Sequence, residues 1–126
     1  MTKVLFVGLE PDTVDYSDPA LPPGLDAEKI HAGIVIAMGQ MAERGWHAVL
    51  CLVRPETASP VLESQLAAHP YDCVVIGGGV RIPPKNLMLF EALINVVHKA
   101  APGASIAFNT RPEDTADAVM RVLKGA

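Results

Sequence analysis

The residue types best suited to ligand chemistry occur in three short segments, of which the first is rich in carboxylates. Within nine residues near the N-terminus stand Glu10, Asp12, Asp15 and Asp18, and no lysine or arginine occurs between residues 4 and 28. With the nearby Tyr16 they could hold a cation such as Mg²⁺, and Asp12 and Asp15 are the candidates for a general base by position. The alternative is a flap whose acids are solvated or pair with Arg81 and Arg111.

The second segment carries three consecutive glycines before a predicted helix, in the sequence Gly77-Gly78-Gly79-Val80-Arg81-Ile82-Pro83-Pro84. Glycine lets backbone N–H groups approach a ligand closely, and an arginine can bind a phosphate or carboxylate with two hydrogen bonds. The segment is neither GxGxxG nor a P-loop, because no GK[ST] follows, and its prolines lack N–H donors. It indicates either an anion site or a tight turn in which Arg81 pairs with the acidic segment.

The third segment, Asn109-Thr110-Arg111, follows the last apolar run. Asn109 can bind a ligand or close the turn, and Thr110 is predicted to cap a helix rather than act as a nucleophile. Arg111 is expected in the first turn of that helix, where its charge opposes the helix dipole, so a paired or ligand-facing role is favoured. No metal ligand, catalytic residue or cofactor is assigned. The predicted ligand-binding residues are Gly8, Glu10, Asp12, Asp15, Gly77, Gly78, Gly79, Arg81, Asn109, Thr110 and Arg111.

The elements that must position these segments follow from hydrophobic patterning. Four nearly continuous apolar runs predict strands at Val4–Val7, Val49–Val53, Cys73–Ile76 and Ser105–Phe108. Continuous hydrophobicity is typical of parallel strands that are covered on both faces. Helical periodicity predicts helices over residues 27–44, 60–68, 85–100 and 111–123. Their predicted starting signals are Asp26 and Ser59 as N-caps and Thr110-Arg111-Pro112-Glu113 as a capping box.

Strand order decides which of the three segments meet. A three-layer α/β/α sandwich with a four-stranded parallel sheet of order 2-1-3-4 is predicted, and a Rossmann-like 3-2-1-4 order is the alternative. In the 2-1-3-4 order the loops at residues 8–25 and 77–84 flank the usual ligand crevice of this fold class. The first loop is about three times the usual length and contains four prolines, which stiffen it. Arg54, after the second strand, is expected on the far side as a surface charge.

In element order the whole chain resembles flavodoxin-like and receiver-like domains, although no specific motif is shared. Receiver domains carry a phosphoacceptor aspartate at the end of the third strand, where this chain has Gly77-Gly78-Gly79. Thr110 matches their hydroxyl position, but their lysine after a fifth strand has no counterpart because that strand is missing. The resemblance therefore implies the fold and disfavours phosphotransfer by the receiver mechanism.

The composition limits the number of domains, the classes of partner and the cellular compartment to be expected. The chain has 126 residues, half of them apolar, which suits one domain with one core. A net charge of −4 without a basic stripe argues against a nucleic-acid partner, and no apolar run approaches the roughly 18 residues of a membrane span. No signal peptide opens the chain, and Cys51 and Cys73 lie in apolar runs typical of free buried thiols. A reducing cytoplasm is therefore expected.

Two functions are compatible with these patterns. The first is binding of an anionic small molecule in the crevice between loops 8–25 and 77–84, for which Arg81→Ala should abolish anion-dependent thermal stabilisation. The second is a non-catalytic homodimeric interaction domain. It is suggested by two apolar stripes on the helix over residues 85–100, since one stripe can cover the sheet and the other is typical of an interface. These stripes are Leu87-Phe90-Ile94-Val97 and Leu89-Leu93-Val96, and Val35 and Ile36 on the first helix show a similar apolar excess.

Overall fold

Four parallel strands form the centre of the fold in the computed structural model, which describes residues 1–124. The strands are β1 (Lys3–Leu9), β2 (His47–Val53), β3 (Cys73–Ile76) and β4 (Ser105–Phe108). They lie in the order β2-β1-β3-β4, so the predicted 2-1-3-4 order is confirmed and the Rossmann-like order is not adopted. β1 pairs in register with both neighbours, and Val7 stands opposite Cys51 on one side and Ile76 on the other.

Helices cover both faces of this sheet and complete the predicted three layers. They are α1 (Ala27–Glu43), α2 (Ala58–Ala68), α3 (Gly78–Arg81), α4 (Leu87–Ala100) and α5 (Thr115–Lys124), with 3₁₀ turns at Pro11–Thr13, Pro84–Asn86 and Pro112–Asp114. α1 and α5 share one core with the sheet, and α2 and α4 share the other. Among residues 1–124, every helix is too short or too polar to cross a membrane.

β1 is buried throughout its centre because its side chains enter both cores. Val4 and Phe6 pack on the α1 and α5 side, whereas Leu5 and Val7 pack on the α2 and α4 side. Successive side chains of a strand point to opposite faces, and each such buried side chain stabilises the fold by roughly 1.5–3 kcal/mol. The continuous apolar run that predicted a parallel strand is thus explained by burial on both faces.

The predicted start of α2 is wrong by two residues. The helix begins at Ala58, and Thr57 rather than Ser59 is its N-cap. Pro60 therefore lies at the third helical position instead of the first. A proline is tolerated there because the N–H groups of the first turn have no partner inside the helix.

The segments that lead into α4 and α5 also differ from prediction. Residues 78–81 of the predicted glycine loop form the single turn α3, and α4 begins at Leu87 after a 3₁₀ turn. Arg111 is extended, with φ −158° and ψ 162°, and α5 begins only at Thr115. The proline that follows Arg111 disfavours helical geometry at the residue before it. The prediction that Arg111 lies in a helical first turn is therefore wrong.

The apolar stripes of α4 are largely used within the monomer. Leu87 and Met88, in the first turn, are 64% and 82% exposed. The apolar surplus that predicted a dimer is therefore found at the beginning of α4 and on α1, where Val35 and Ile36 are exposed. The remaining stripe residues, buried or partly buried in the core that α4 shares with α2, are Leu89, Phe90, Leu93, Ile94, Val96 and Val97.

Candidate functional site

The long segment after β1, here called the flap (residues 10–25), crosses the carboxyl end of the sheet. Its first part is fixed by the N–H of Glu10, which donates to the carbonyl of Val53 at 2.8 Å. The hydroxyl of Tyr16 donates to the carbonyl of Pro11 at 2.6 Å and folds the flap back on itself. Burial, with the nearby charges of the flap region, raises the pKa of Tyr16, so this phenol stays a neutral donor.

The end of the flap is fastened to the first turn of α1. Asp26 accepts a hydrogen bond from the N–H of Lys29 at 2.8 Å, which confirms its predicted role as N-cap. The ammonium of Lys29 donates to the carbonyl of Gly24 at 2.7 Å. Gly24 has φ +77°, in the left-handed region that favours glycine, so the chain can turn sharply into the helix here.

The acids of the flap pair with two cations that the sequence analysis did not select for them. Asp12 accepts two hydrogen bonds from Arg54, at 3.3 and 3.1 Å. Asp15 pairs with Lys85, which also approaches Asp18 at 3.8 Å. Arg54 therefore does not stand on the far side as predicted. β2 is the direct neighbour of β1, so the residue after β2 lies beside the flap.

The pairing with Lys85 lowers the pKa of one flap carboxyl group, that of Asp15. Hydrogen bonds from Lys85 and Ser17 hold the pKa of Asp15 at about 2. The pair is exposed to solvent, so its net contribution to stability is small. Groups of three or more His, Cys, Asp or Glu side chains that could hold a metal ion do not occur among the described residues.

The glycine corner after β3 is shaped by contacts within the protein. The N–H of Gly77 donates to the carbonyl of Val7 at 2.8 Å, and the N–H of Gly78 donates to Oδ1 of Asn109 at 2.8 Å. A Cβ on Gly77 would lie 3.1 Å from the Val7 oxygen, and one on Gly78 would lie 3.0 Å from the oxygen of Thr110. Close backbone approach thus favours glycine at two of the three positions, and the N–H groups of these two glycines are already engaged.

Asn109 is a buried link between two turns at this edge of the sheet. Its side chain accepts from Gly78 and donates from Nδ2 to the hydroxyl of Thr115 at 2.9 Å. Asn109 is 2% exposed and Thr115 is fully buried. A buried amide with both ends satisfied holds the turn after β3 against the turn after β4.

Arg81 contacts the backbone of Asn109 but is not part of the lining of the cavity between the flap and the glycine corner. Its guanidinium donates to the carbonyl of Asn109 at 2.9 Å and stacks on Phe108, 5.5 Å from the ring centroid. The predicted pairing of Arg81 with the flap acids is absent from the ion pairs of residues 1–124. Arg81 therefore supports the backbone of the site from outside.

Thr110 and Asp114 close the turn before α5. The hydroxyl of Thr110 donates to one oxygen of Asp114, and the other oxygen accepts the N–H groups of Thr110 and Arg111 at 2.9 and 3.3 Å. Burial would raise the pKa of Asp114, but these hydrogen bonds and the nearby charge of Arg111 outweigh it, so the pKa is lowered. Asp114, not the predicted Glu113, is the acidic partner of the cap, and Arg111 rather than the predicted Thr110 is the N-cap. The Thr110 hydroxyl instead supports the turn by donating to Asp114.

A cavity of about 470 Å³ opens between the flap, α1, the glycine corner and the turn after β4. This is the volume range of small-molecule sites, and it lies at the point where the chain reverses across the sheet. Most of its wall is apolar. The side chains that form this wall include Phe6, Leu21, Leu25, Ile30, Ile34 and Ile82.

Charged side chains line one side of this cavity. Lys29 and Arg111 are cationic and Glu113 is anionic. Arg111 is exposed and forms no ion pair with the other described residues. Gly33 lets α1 approach this side closely, because a Cβ there would lie 3.0 Å from a carboxylate oxygen of Glu113.

The predicted site residues divide into two groups. Those that line the cavity are Gly8, Gly77, Gly78, Gly79, Asn109, Thr110 and Arg111. Those placed outside its lining are Glu10, Asp12, Asp15 and Arg81. Sequence reasoning missed Lys29 and Glu113. The available signal for Lys29 was a cation in the first turn of the helix that follows the long loop.

No protein family model and no curated protein sequence matches this chain.

Proposed function

We propose that this protein binds a small molecule with an anionic group in the crevice between loops 8–25 and 77–84. The observation that carries the proposal is the cavity at the reversal point of the sheet with the unpaired Arg111 in its wall. An exposed guanidinium beside an apolar cavity can form charge-assisted hydrogen bonds with a carboxylate or phosphate. Lys29 is a second cation in the lining, and its ammonium donates to the carbonyl of Gly24.

Filling the cavity is the direct test. Gly79 lines the cavity, and no heavy atom lies within 4 Å of the position that its Cβ would take. Gly79→Leu should therefore fold and occupy ligand space. Gly39→Leu is the matched control, because Gly39 is exposed on α1 with equally open surroundings and is not part of the lining.

The role of charge is tested separately with Arg111→Gln. Arg111 replaces Arg81 in this test, because Arg111 lines the cavity and Arg81 does not. Lys99→Gln removes an exposed cation of α4, on the opposite helical layer, and serves as control. We expect a thermal-shift screen of carboxylates and phosphorylated compounds to find anions that stabilise the wild type and both controls. Gly79→Leu should lose this stabilisation, and Arg111→Gln should lose about tenfold or more in affinity. Equal stabilisation of all variants would contradict the proposal.

We propose a homodimeric interaction domain as the second candidate, supported by the exposed Leu87 and Met88 at the start of α4. In that case Met88→Glu should convert a dimer to a monomer in light scattering. Val61→Glu, at an exposed apolar position of α2, should not. A wild-type protein that is a monodisperse monomer at micromolar concentration would contradict this candidate.

We also propose a reducing cytoplasm as the protein's setting. Cys51 and Cys73 are free and buried. Burial raises the pKa of both thiols, and that of Cys73 reaches about 12 with the charge of Asp72 as a further cause. Such thiols behave as small apolar residues, as is usual for cysteines that are not used for disulfides.

A further inference from the structure

We infer that the ligand is a monoanion with a largely apolar body, such as an aliphatic or aromatic carboxylate, rather than a nucleotide or sugar phosphate. This inference rests on the proposed function and deepens it. It combines the composition of the cavity wall, the balance of charge around it and the use of the backbone donors nearby.

The apolar wall indicates what the body of the ligand is made of. Side chains from β1, the flap, α1 and the segment after α3 surround the cavity. A ligand that binds there would therefore lose its contact with water on several sides. A sugar or ribose would bring hydroxyl groups against this wall without partners, which is costly. A hydrocarbon body would gain roughly fourfold in affinity for each methylene buried. The residues that carry this argument are Phe6, Leu21, Leu25, Ile30 and Ile82.

The charges of the site favour a single negative charge. Within the lining, Lys29 and Arg111 are opposed by the carboxylate of Glu113. The flap beside the cavity carries four acids, of which Arg54 and Lys85 balance only two charges. Two cations next to this excess of carboxylates suit one carboxylate better than a phosphate of higher charge.

The backbone N–H groups near the cavity also favour a carboxylate over a phosphate. Phosphate sites at a glycine-rich corner use several N–H groups together. Here the N–H groups of Gly77 and Gly78 already donate to Val7 and Asn109. Pro112, in the neighbouring turn that also lines the cavity, has no N–H to offer. These two glycine N–H groups are therefore not free to form a phosphate cradle, whereas the Arg111 side chain can hold a carboxylate with two hydrogen bonds.

The test compares probes that separate charge from apolar body. Octanoate has both, octanamide has the body without the charge, acetate has the charge with almost no body, and inorganic phosphate and adenosine monophosphate are polar anions of higher charge. Dissociation constants are measured by calorimetry for the wild type, Gly79→Leu and the control Gly39→Leu. We expect octanoate to bind at least about tenfold more tightly than each of the other probes, and Gly79→Leu alone to abolish its binding.

The outcomes separate the inference from the proposed function. Tighter binding of phosphate or adenosine monophosphate than of octanoate, lost in Gly79→Leu, would overturn the inference and leave anion binding in the crevice intact. Octanamide binding as tightly as octanoate would overturn the inference by removing the need for charge. Failure of every anion to bind, or binding that is unchanged in Gly79→Leu, would overturn the proposed function itself.

Discussion

Gly77, Gly78 and Gly79 are adjacent in the sequence but have different surroundings, and only the structure separates them. Gly78 faces the backbone of Thr110, whereas Gly79 faces open space beside the cavity. A run of three glycines predicts a close approach of some kind. It does not indicate whether the neighbour is a ligand or the protein's own backbone, which here differs from one glycine to the next.

This difference predicts different losses of stability for alanine substitutions at Gly78 and Gly79. Gly78→Ala should lower the free energy of unfolding by about 1–3 kcal/mol, because the added methyl group would crowd a carbonyl oxygen that is 3.0 Å away. Gly79→Ala, in open space, should stay within about 1 kcal/mol of the wild type. Urea unfolding of the two variants measures both. Equal losses of stability in the two variants would contradict the different surroundings assigned to Gly78 and Gly79.

The pairing of Asp15 with Lys85 makes a prediction about pH. Because Lys85 is the largest cause of the low pKa, Lys85→Gln should raise the pKa of Asp15 from about 2 towards its usual value, with Ser17 keeping part of the shift. In the wild type the pair stabilises the flap above about pH 4, where unfolded aspartate is ionised, and this stabilisation is lost as pH falls through about 2. NMR titration of the Asp15 carboxyl group measures the shift. An unchanged pKa in Lys85→Gln would contradict the pairing.

At the scale of elements, the site depends on two turns being held together. Asn109 joins the turn after β3 to the turn after β4 through Gly78 and Thr115. The sequence placed Asn109 at the right end of its strand, since strand ends follow from hydrophobic patterning. It could not show which distant N–H the amide would accept, because that partner depends on the order of strands in the sheet.

Removing the Asn109 side chain should lower the free energy of unfolding more than removing an exposed amide side chain. Asn109→Ala should lower the free energy of unfolding by about 1–3 kcal/mol, since it leaves the buried N–H of Gly78 without its acceptor. The Thr115 hydroxyl loses one hydrogen bond but still donates to the carbonyl of Pro112. Asn95→Ala is the control, because Asn95 is exposed and bonds only within α4. Chemical denaturation compares the two. A loss for Asn109→Ala no larger than that of the control would show that the link does not hold the turns.

At the scale of the whole molecule, the sequence predicted the architecture better than the site. Strand positions, strand order and the three layers follow from apolar runs and from the chain's single reversal across the sheet. The partners of the charged residues do not follow, because ion pairing depends on side-chain reach between loops. Arg54 pairs with the flap and Arg81 supports Asn109, although both were expected elsewhere. The predicted α4 surface is likewise reduced, because α2 and the sheet cover most of its apolar residues.

The crevice itself is tested most directly by an NMR titration of the ¹⁵N-labelled protein with octanoate and, in parallel, with inorganic phosphate. Anion binding in the crevice predicts saturable shifts of the amide signals of Leu25, Gly79, Thr110 and Arg111, which surround the cavity. Signals of Glu63 and Lys99, on the opposite helical layer, should not move. Saturable shifts confined to the α2 and α4 layer, or no saturable shift with either anion, would contradict the account.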